Sequence, residues 1–482
     1  MPIRGRESAA VALASLLLTT CGDGEGGVSR PDIVLVSIDS LRADHLGCYG
    51  YAPPTSPNLD RLAAEGVRCE QAVSTTSWTL PAHAALFTGL FDSAHGLVDN
   101  GLRLGEGPAT LAEILRDAGY QTAGFYGGPY LHPTYGLDRG FETWTSCMAA
   151  LPDGASAEAA RLESRSANAA SHRDVTGPRT LEAVKGWLAR ADPQRPMLLF
   201  VHLWDVHYDY APPEEYVRLF DPDYSGSLDA SGLMSNPAVD PRMSPRDFRH
   251  LLALYDGEIR FTDEILGRIL DAVAARGRMQ DTLVAVTADH GEEFFEHGWK
   301  GHQRTLHEEV VRVPLLLRFP GRLPAGRVVR EQVRLVDLAP TLLALAGVEA
   351  RASFQGRDAS ALLSGTAGAE DLGAAPALCE LLVDRRQMRA LRTNEVKLVD
   401  PGFGRPAQLF DLAGDPGELR PLSADDARGV AAKAELERMA AEALEVGARA
   451  GQGARGTAID PELERRLRRL GYAAGGEPAG GR

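Results

Sequence analysis

The sequence predicts an α/β fold, a large and mostly parallel sheet sandwiched by helices, followed by a smaller C-terminal α+β subdomain. Three observations carry that expectation. The runs "PDIVLVSID" (31–39), "PMLLFVHLWDVH" (196–207) and "DTLVAVTADHGEE" (281–293) are almost continuously apolar and rich in β-branched residues, the pattern of strands buried on both faces. Between them, "TSPNLDRLAAEG", "GPATLAEILRDAGY" and "EIRFTDEILGRILDAVAARG" repeat apolar residues at helical spacing, with Asn or Ser near the starts and Gly near the ends. Further on, "QMRALRTNEVKLVDPGFGRPAQLFDLAGDPGEL" breaks into short alternating runs and turns, which suggests an antiparallel unit.

The chain opens on Arg4 and Arg6, then an apolar stretch of Ala, Val and Leu that stops at Cys21 before a Gly-rich polar segment. That is the layout of an export signal, too short to span a membrane. "LTTC" (18–21) resembles the lipobox of bacterial lipoproteins. It implies lipidation of Cys21 and a lipid anchor to the membrane of the bacterial cell envelope, with the protein periplasmic or otherwise extracytoplasmic. Ordinary cleavage nearby, giving a soluble exported protein, is the alternative. Residues 1–21 then form the signal, 22–30 a linker, 31–372 the main domain, and 373–482 the C-terminal subdomain with its helical "AKAELERMAAEALEVGARAG" and a flexible tail. Two polar loops, 148–177 and 221–245, interrupt the main domain, the first as an insertion or lid. The helix "DLAPTLLALAGV" (337–348) comes after the last apolar strand.

A net charge of −15 over 482 residues offers no clustered basic surface for a phosphate backbone, which argues against nucleic-acid binding. Cys48, Cys69, Cys147 and Cys379 match no zinc motif; an oxidising compartment permits disulfides among them, and isolated buried thiols are the alternative.

Ligands of open parallel sheets gather beyond the carboxyl ends of the strands. Asp39 closes the first run, and Asp289 with His290 closes another. Two carboxylates and an imidazole converging there suit a divalent metal ion, although a single acid after a strand is commonly a helix cap. In "STTSWTLPAHAALFTG" (74–89), Pro81 suits the first turn of a helix. The Thr79 hydroxyl then sits at a helix N-terminus, where amide donors favour negative charge; simple capping is the other use of such a residue.

Several stretches together resemble the sulfatase family of the alkaline-phosphatase superfamily. "DIVLVSIDSLRADHLGCYGY" resembles its first metal strand, "TLPAHAALFTGLFDSAHG" its nucleophile helix and "VTADHGEEFFEHG" its second metal strand. "LHEEVVRVPLLLRFPG" resembles the edge after that strand, "VDLAPTLLALAGV" the next helix, and "LRTNEVKLVD" with "LFDLAGDPGEL" the C-terminal subdomain. The resemblance implies metal-assisted displacement at sulfur or phosphorus through a covalent ester on the nucleophile. It places Asp39, Asp289 and His290 as metal ligands and Thr79 as the nucleophile, itself on the metal. His207 matches a histidine near the leaving oxygen, a candidate general acid, and His302 lies close to an anion-binding lysine.

The departures from the family carry as much information. Sulfatases proper use a cysteine or serine oxidised to formylglycine, whereas threonine could yield only a ketone. No formylglycine is expected here, and Thr79 should act unmodified, as in the phosphoryl-transferring relatives that use threonine. That chemistry favours phosphate esters, while the family name favours sulfate esters. His83 replaces an arginine, and Ser40 a second aspartate, which leaves calcium, manganese or zinc as the cation with a lean toward the latter two. A second metal on Asp205, His207 and His302 is the alternative use of those groups. His83, Trp78 and Lys300 complete the candidate substrate-binding set, Trp78 as packing or pocket wall and Lys300 as either a contact or a surface charge; His95, His297 and His307 read as structural.

The reading is therefore an exported, lipid-anchored hydrolase of small-molecule, glycan or lipid esters. Two alternatives stand beside it: a transferase passing the phospho or sulfo group to an envelope lipid or glycan, and a binding protein that kept the fold and lost the chemistry.

Overall fold

Eight strands carry the core of the computed structural model, which describes residues 30–149, 175–349, 353–367, 375–383, 386–423, 425–449 and 453–469. They are β1 (Asp32–Ile38), β2 (Val67–Val73), β3 (Gln121–Tyr126), β4 (Thr143–Ser146), β5 (Met197–Leu203), β6 (Thr282–Thr287), β7 (Arg312–Arg318) and β8 (Arg327–Arg334). The order across the sheet is β8-β2-β7-β6-β1-β5-β3-β4. Only β7 runs against its neighbours. Each of the three apolar runs becomes a central strand buried at every position, β1, β5 and β6.

The helices of the sheet are α1 (Pro57–Glu65), α2 (Thr79–Thr88), α3 (Leu111–Asp117), α4 (Gly177–Leu188), α5 (Pro245–Ala274) and α6 (Leu338–Ala346); all but α4, which follows the first polar loop, fall on segments expected to be helical. Helix α5 begins well before the expected segment, inside the end of the second polar loop. The Ser244 side chain accepts from the Asp247 N–H at 3.0 Å and starts the helix, a signal masked by the Pro- and Asp-rich surroundings. Ser56, by contrast, makes no side-chain cap for α1. Asp263 of α5 does so from outside, accepting from the N–H groups of Asn58 and Leu59 at 2.9 Å each. Asp263→Ala should therefore cost ~1–3 kcal/mol, read as a lower midpoint in thermal or urea unfolding; an unchanged midpoint would contradict that role.

The C-terminal unit is an antiparallel sheet of β9 (Ala377–Leu381), β10 (Met388–Arg392), β11 (Val396–Asp400) and β12 (Gln408–Asp411), in that order, with α7 (Ala427–Arg449) packed on it. Its inner face, with Leu378, Leu391, Leu398 and Leu409, shares one apolar cluster with Leu436 of α7 and with Ala85 and Leu90 at the end of α2. Beneath the joint lies a buried charge network. Lys397 Nζ is 3.1 Å from both Glu308 and Glu418, and Arg392 forks onto Glu308 at 2.8 and 2.9 Å. Although burial alone would raise it, the Glu308 carboxyl is held well below its usual range by Arg392 and Lys397.

A further helix, Pro461–Arg469, lies where only a tail is expected, started by Asp460 Oδ1 accepting from the Glu462 N–H at 2.9 Å. Cys48, Cys69, Cys147 and Cys379 are free thiols, so the disulfide option is not taken. The signal, Cys21, most of the first loop and the final tail lie outside the described residues. Among the described residues no helix is long and apolar enough to cross a membrane.

Candidate active site

Asp39 directly follows β1, and Asp289 lies two residues beyond β6. These strands are parallel neighbours with Ser37 opposite Thr287, so the register carries both carboxylates to the same edge. Both are buried. Ser40, at φ 55, turns the chain there; its N–H donates to Asp289 Oδ1 at 3.3 Å and its hydroxyl to Asp39 Oδ1 at 2.8 Å. The Tyr255 hydroxyl of α5 donates to the Ser40 carbonyl at 2.7 Å and holds this unusual backbone conformation. Asp39 thus caps no helix.

Thr79 is the first residue of α2, after an extended Trp78 that provides no side-chain cap. The Thr79 hydroxyl donates to Asp39 Oδ2 at 3.4 Å and stands 3.4 Å from His290 Nε2. It faces the acidic edge, not the helix amides.

His290 Nδ1 lies 2.9 Å from the Gly291 carbonyl. A carbonyl only accepts, so Nδ1 carries the proton and Nε2 presents its lone pair. Asp39 Oδ1 and Asp289 Oδ2 are each 3.6 Å from that Nε2, and ligand atoms of the three residues lie within 4.8 Å of one another. Asp289 Oδ2 is buried with no hydrogen-bond partner. Burial and the neighbouring Asp39 raise the Asp289 carboxyl, whereas Asp39 itself is held far down because His202, His207 and His290 outweigh its burial. Two carboxylates at this spacing, one with an orphaned oxygen, and a bare imidazole nitrogen form a donor set that fits a divalent cation.

The loop feeding α2 is held from three sides. The Ser74 N–H donates to the Val311 carbonyl at 2.8 Å and its hydroxyl to the Asp289 carbonyl at 2.5 Å. The Cys379 thiol reaches the Ser74 carbonyl at 3.3 Å, the Glu380 N–H donates to the Thr75 carbonyl at 2.7 Å, and the Gln303 N–H donates to the Ser77 carbonyl at 3.0 Å.

His302 and His207 converge beside this edge, their rings 5.0 Å apart, with His302 4.4 Å from His290. His207 stacks on Trp204 at 3.8 Å and its Nδ1 donates to the Tyr208 carbonyl at 2.6 Å. Behind His302 stands Glu292, which sequence reasoning missed: Oε1 lies 3.0 Å from His302 Nδ1, and Oε2 accepts from the Tyr210 hydroxyl at 2.8 Å. Burial pushes the Glu292 carboxyl up to about 8.

His202, also missed, sits inside β5 opposite Ser37 of β1. A histidine in a strand buried on both faces was the available signal. Its Nδ1 is 2.9 Å from the Gly127 carbonyl and its Nε2 3.3 Å from Asp39 Oδ2.

Other expected contacts fall elsewhere. His83 is not at a substrate surface: its Nδ1 is 2.8 Å from the Thr79 carbonyl and its Nε2 3.1 Å from Ser37 Oγ, so it braces the first turn of α2. Burial, with His202 beside it, pushes the ring down to about 3 and keeps it neutral. Trp78 is buried edge-on against Tyr130 at 5.2 Å, a packing residue. Lys300 donates to the carbonyls of Asn236 and Val239, at 3.2 and 2.5 Å, tying down the second polar loop. The Asp205 oxygens accept from the Thr176 N–H at 2.6 Å and hydroxyl at 3.2 Å, at the start of α4. Asp205 is therefore engaged as a helix cap, and no group of metal-ligand atoms among the described residues includes it with His207 and His302.

A family model described as Sulfatase matches residues 31–348, and one described as N-sulphoglucosamine sulphohydrolase, C-terminal, matches residues 295–443. The uncharacterized sulfatase YidJ of Escherichia coli (strain K12) is 26% identical over 423 residues, covering 83% of this chain and 84% of its own. The N-acetylglucosamine-6-O-sulfatase of Bacteroides thetaiotaomicron is 24% identical over 490 residues, covering 84% and 85%. Among solved structures, the phosphonate monoester hydrolase of Agrobacterium radiobacter shares the fold at a TM-score of 0.70 and 24% identity, over 89% of this chain and 100% of that one. With the Sulfatase model spanning well over half of its length, the chain belongs to the sulfatase family of ester hydrolases.

Proposed function

We propose that this protein is a metal-dependent hydrolase in which unmodified Thr79 attacks the ester, with phosphate esters preferred over sulfate esters. One observation carries the reading: the Thr79 hydroxyl makes no cap and instead lies 3.4 Å from both Asp39 Oδ2 and His290 Nε2. When bound, a divalent cation on Asp39, Asp289, His290 and Thr79 would supply the positive charge that favours an ionised hydroxyl. The Thr79 proton is directed at Asp39 Oδ2. Attack forms a bond from Thr79 Oγ1 to phosphorus and breaks the bond to the leaving oxygen, which takes a proton from the His207 and His302 side. With Glu292 raised to about 8, the Glu292 and His302 pair retains a proton near neutral pH and can act as that source. Water then cleaves the phosphothreonine.

The ester preference follows from the nucleophile. A sulfated threonine lacks the elimination open to a formylglycine hydrate, so it would turn over poorly. The fold does not decide the matter, since proteins sharing it are named for sulfate and for phosphonate esters alike. The "LTTC" stretch supports export and a lipid anchor at Cys21, which directs the enzyme toward small, glycan or lipid esters of the envelope.

The test is a comparison of turnover on an aryl sulfate, an aryl phosphate and an aryl phosphodiester, after chelation and metal add-back. Chelation should abolish turnover, add-back restore it, and a phosphorus ester lead. A lead for the sulfate would overturn the ester preference, and indifference to chelation would overturn the metal.

A further inference from the structure

We infer that Arg386 is a positioning residue for the reaction: through the backbone of Gln303 it holds His302 at a set spacing from Thr79. This role rests on the proposed attack by Thr79 with His302 on the leaving-oxygen side. Gln303 directly follows His302, and its backbone is held at both ends. The N–H donates to the Ser77 carbonyl at 3.0 Å, two residues ahead of Thr79, and the carbonyl accepts from Arg386 Nη1 at 2.6 Å. Between those bonds Gln303 stands at φ 62. That left-handed conformation is disfavoured for a residue with a Cβ and persists where the surroundings impose it.

The bond to Ser77 ties the loop of His302 to the loop that feeds α2. Glu292 Oε1, 3.0 Å from His302 Nδ1, sets the rotation of the ring; the backbone link sets how far the ring stands from the nucleophile. An in-line displacement puts the attacking and leaving oxygens on opposite sides of the transferred group. The groups that serve those two oxygens must therefore keep a fixed separation, and an error of about 1 Å can cost ~10²-fold in rate.

Arg386 lies just before β10, where its own N–H donates to the Val383 carbonyl at 2.9 Å and shapes the turn. The preceding strand, β9, already grips the nucleophile loop, with the Cys379 thiol on the Ser74 carbonyl and the Glu380 N–H on the Thr75 carbonyl. The C-terminal unit thus holds both halves of the site, β9 the attacking side and Arg386 the leaving side. The rival use of Arg386 is plain bracing between the two units, which would act on stability and on every ester alike.

Turnover of p-nitrophenyl phosphate and phenyl phosphate by the full-length protein with added divalent metal separates the two. A nitrophenolate leaves with little help, whereas a phenolate depends on the proton supplied from the His302 side. Arg386→Met should lower kcat for the phenyl ester by ~10–100-fold and for the nitrophenyl ester by less than ~3-fold, with KM and the melting midpoint little changed. Arg386→Lys keeps a donor for the Gln303 carbonyl and should recover part of the loss. Gln303→Val, whose branched side chain resists φ 62, should reproduce it. Equal losses on the two esters, or an unchanged rate ratio in Arg386→Met or Gln303→Val, overturns the positioning role and leaves the hydrolase reading standing. No turnover of these phosphates or of the matching sulfates by the wild type overturns the hydrolase reading, and this role with it.

Discussion

Thr79→Ala is expected to lower kcat by ~10⁴-fold or more, because the group proposed to form the covalent bond disappears and water cannot replace it in that position. Thr79→Ser, which keeps the hydroxyl and removes only a methyl group, should retain most of the rate. The alanine variant should fold normally, since the Thr79 side chain provides no cap for α2 and bonds only toward Asp39 and His290. Steady-state rates with the preferred ester, beside melting curves, check both. Activity above a tenth of wild type in the alanine variant would show that another group attacks, or that catalysis is not the protein's task.

The second large effect concerns stability. Lys397→Met should destabilise the protein by ~3–5 kcal/mol, because it leaves the buried Glu418 and the partly buried Glu308 with too little positive charge. Arg392 bonds Glu308 directly, and Glu418 keeps only His307 Nδ1 at 3.1 Å and the Glu308 N–H at 2.6 Å. The added substitution Glu418→Gln should return part of the loss, since it removes the carboxylate stranded by the first change. The sign with pH follows from Glu308: its carboxyl is depressed in the folded state, so its contribution is fully present above the unfolded value near 4.5 and is lost only as pH falls toward the folded one. Denaturant unfolding of the single and double variants measures the coupling, and a loss below ~1 kcal/mol would place these charges in a solvated setting.

How much of this could be read from residues alone depends on whether the informative pattern is local. Asp39, Thr79, Asp289 and His290 announce themselves at strand and helix ends, where an acid, a hydroxyl before proline or an Asp-His pair stands out. His202 does not, because it sits inside a continuous apolar run and gains its meaning only from the register of β5 against β1. Glu292 is likewise one acid among several until Tyr210 and His302 close on it. Arg392 and Lys397 lie in strands of alternating character and read as solvent-facing charges; only the packing of the second sheet on the first buries them. Lys300 and Asp205 mislead in the opposite way, since backbone partners in a loop and at a helix start have no counterpart in sequence spacing.

The carbonyl of Ser74 is met by Cys379, 305 positions downstream, and that of Thr75 by Glu380. A protease nick or a designed truncation that frees this far segment would therefore silence the enzyme with every reacting group still attached. Exchanging the C-terminal unit between relatives would shift the proposed nucleophile as surely as editing the residues around it.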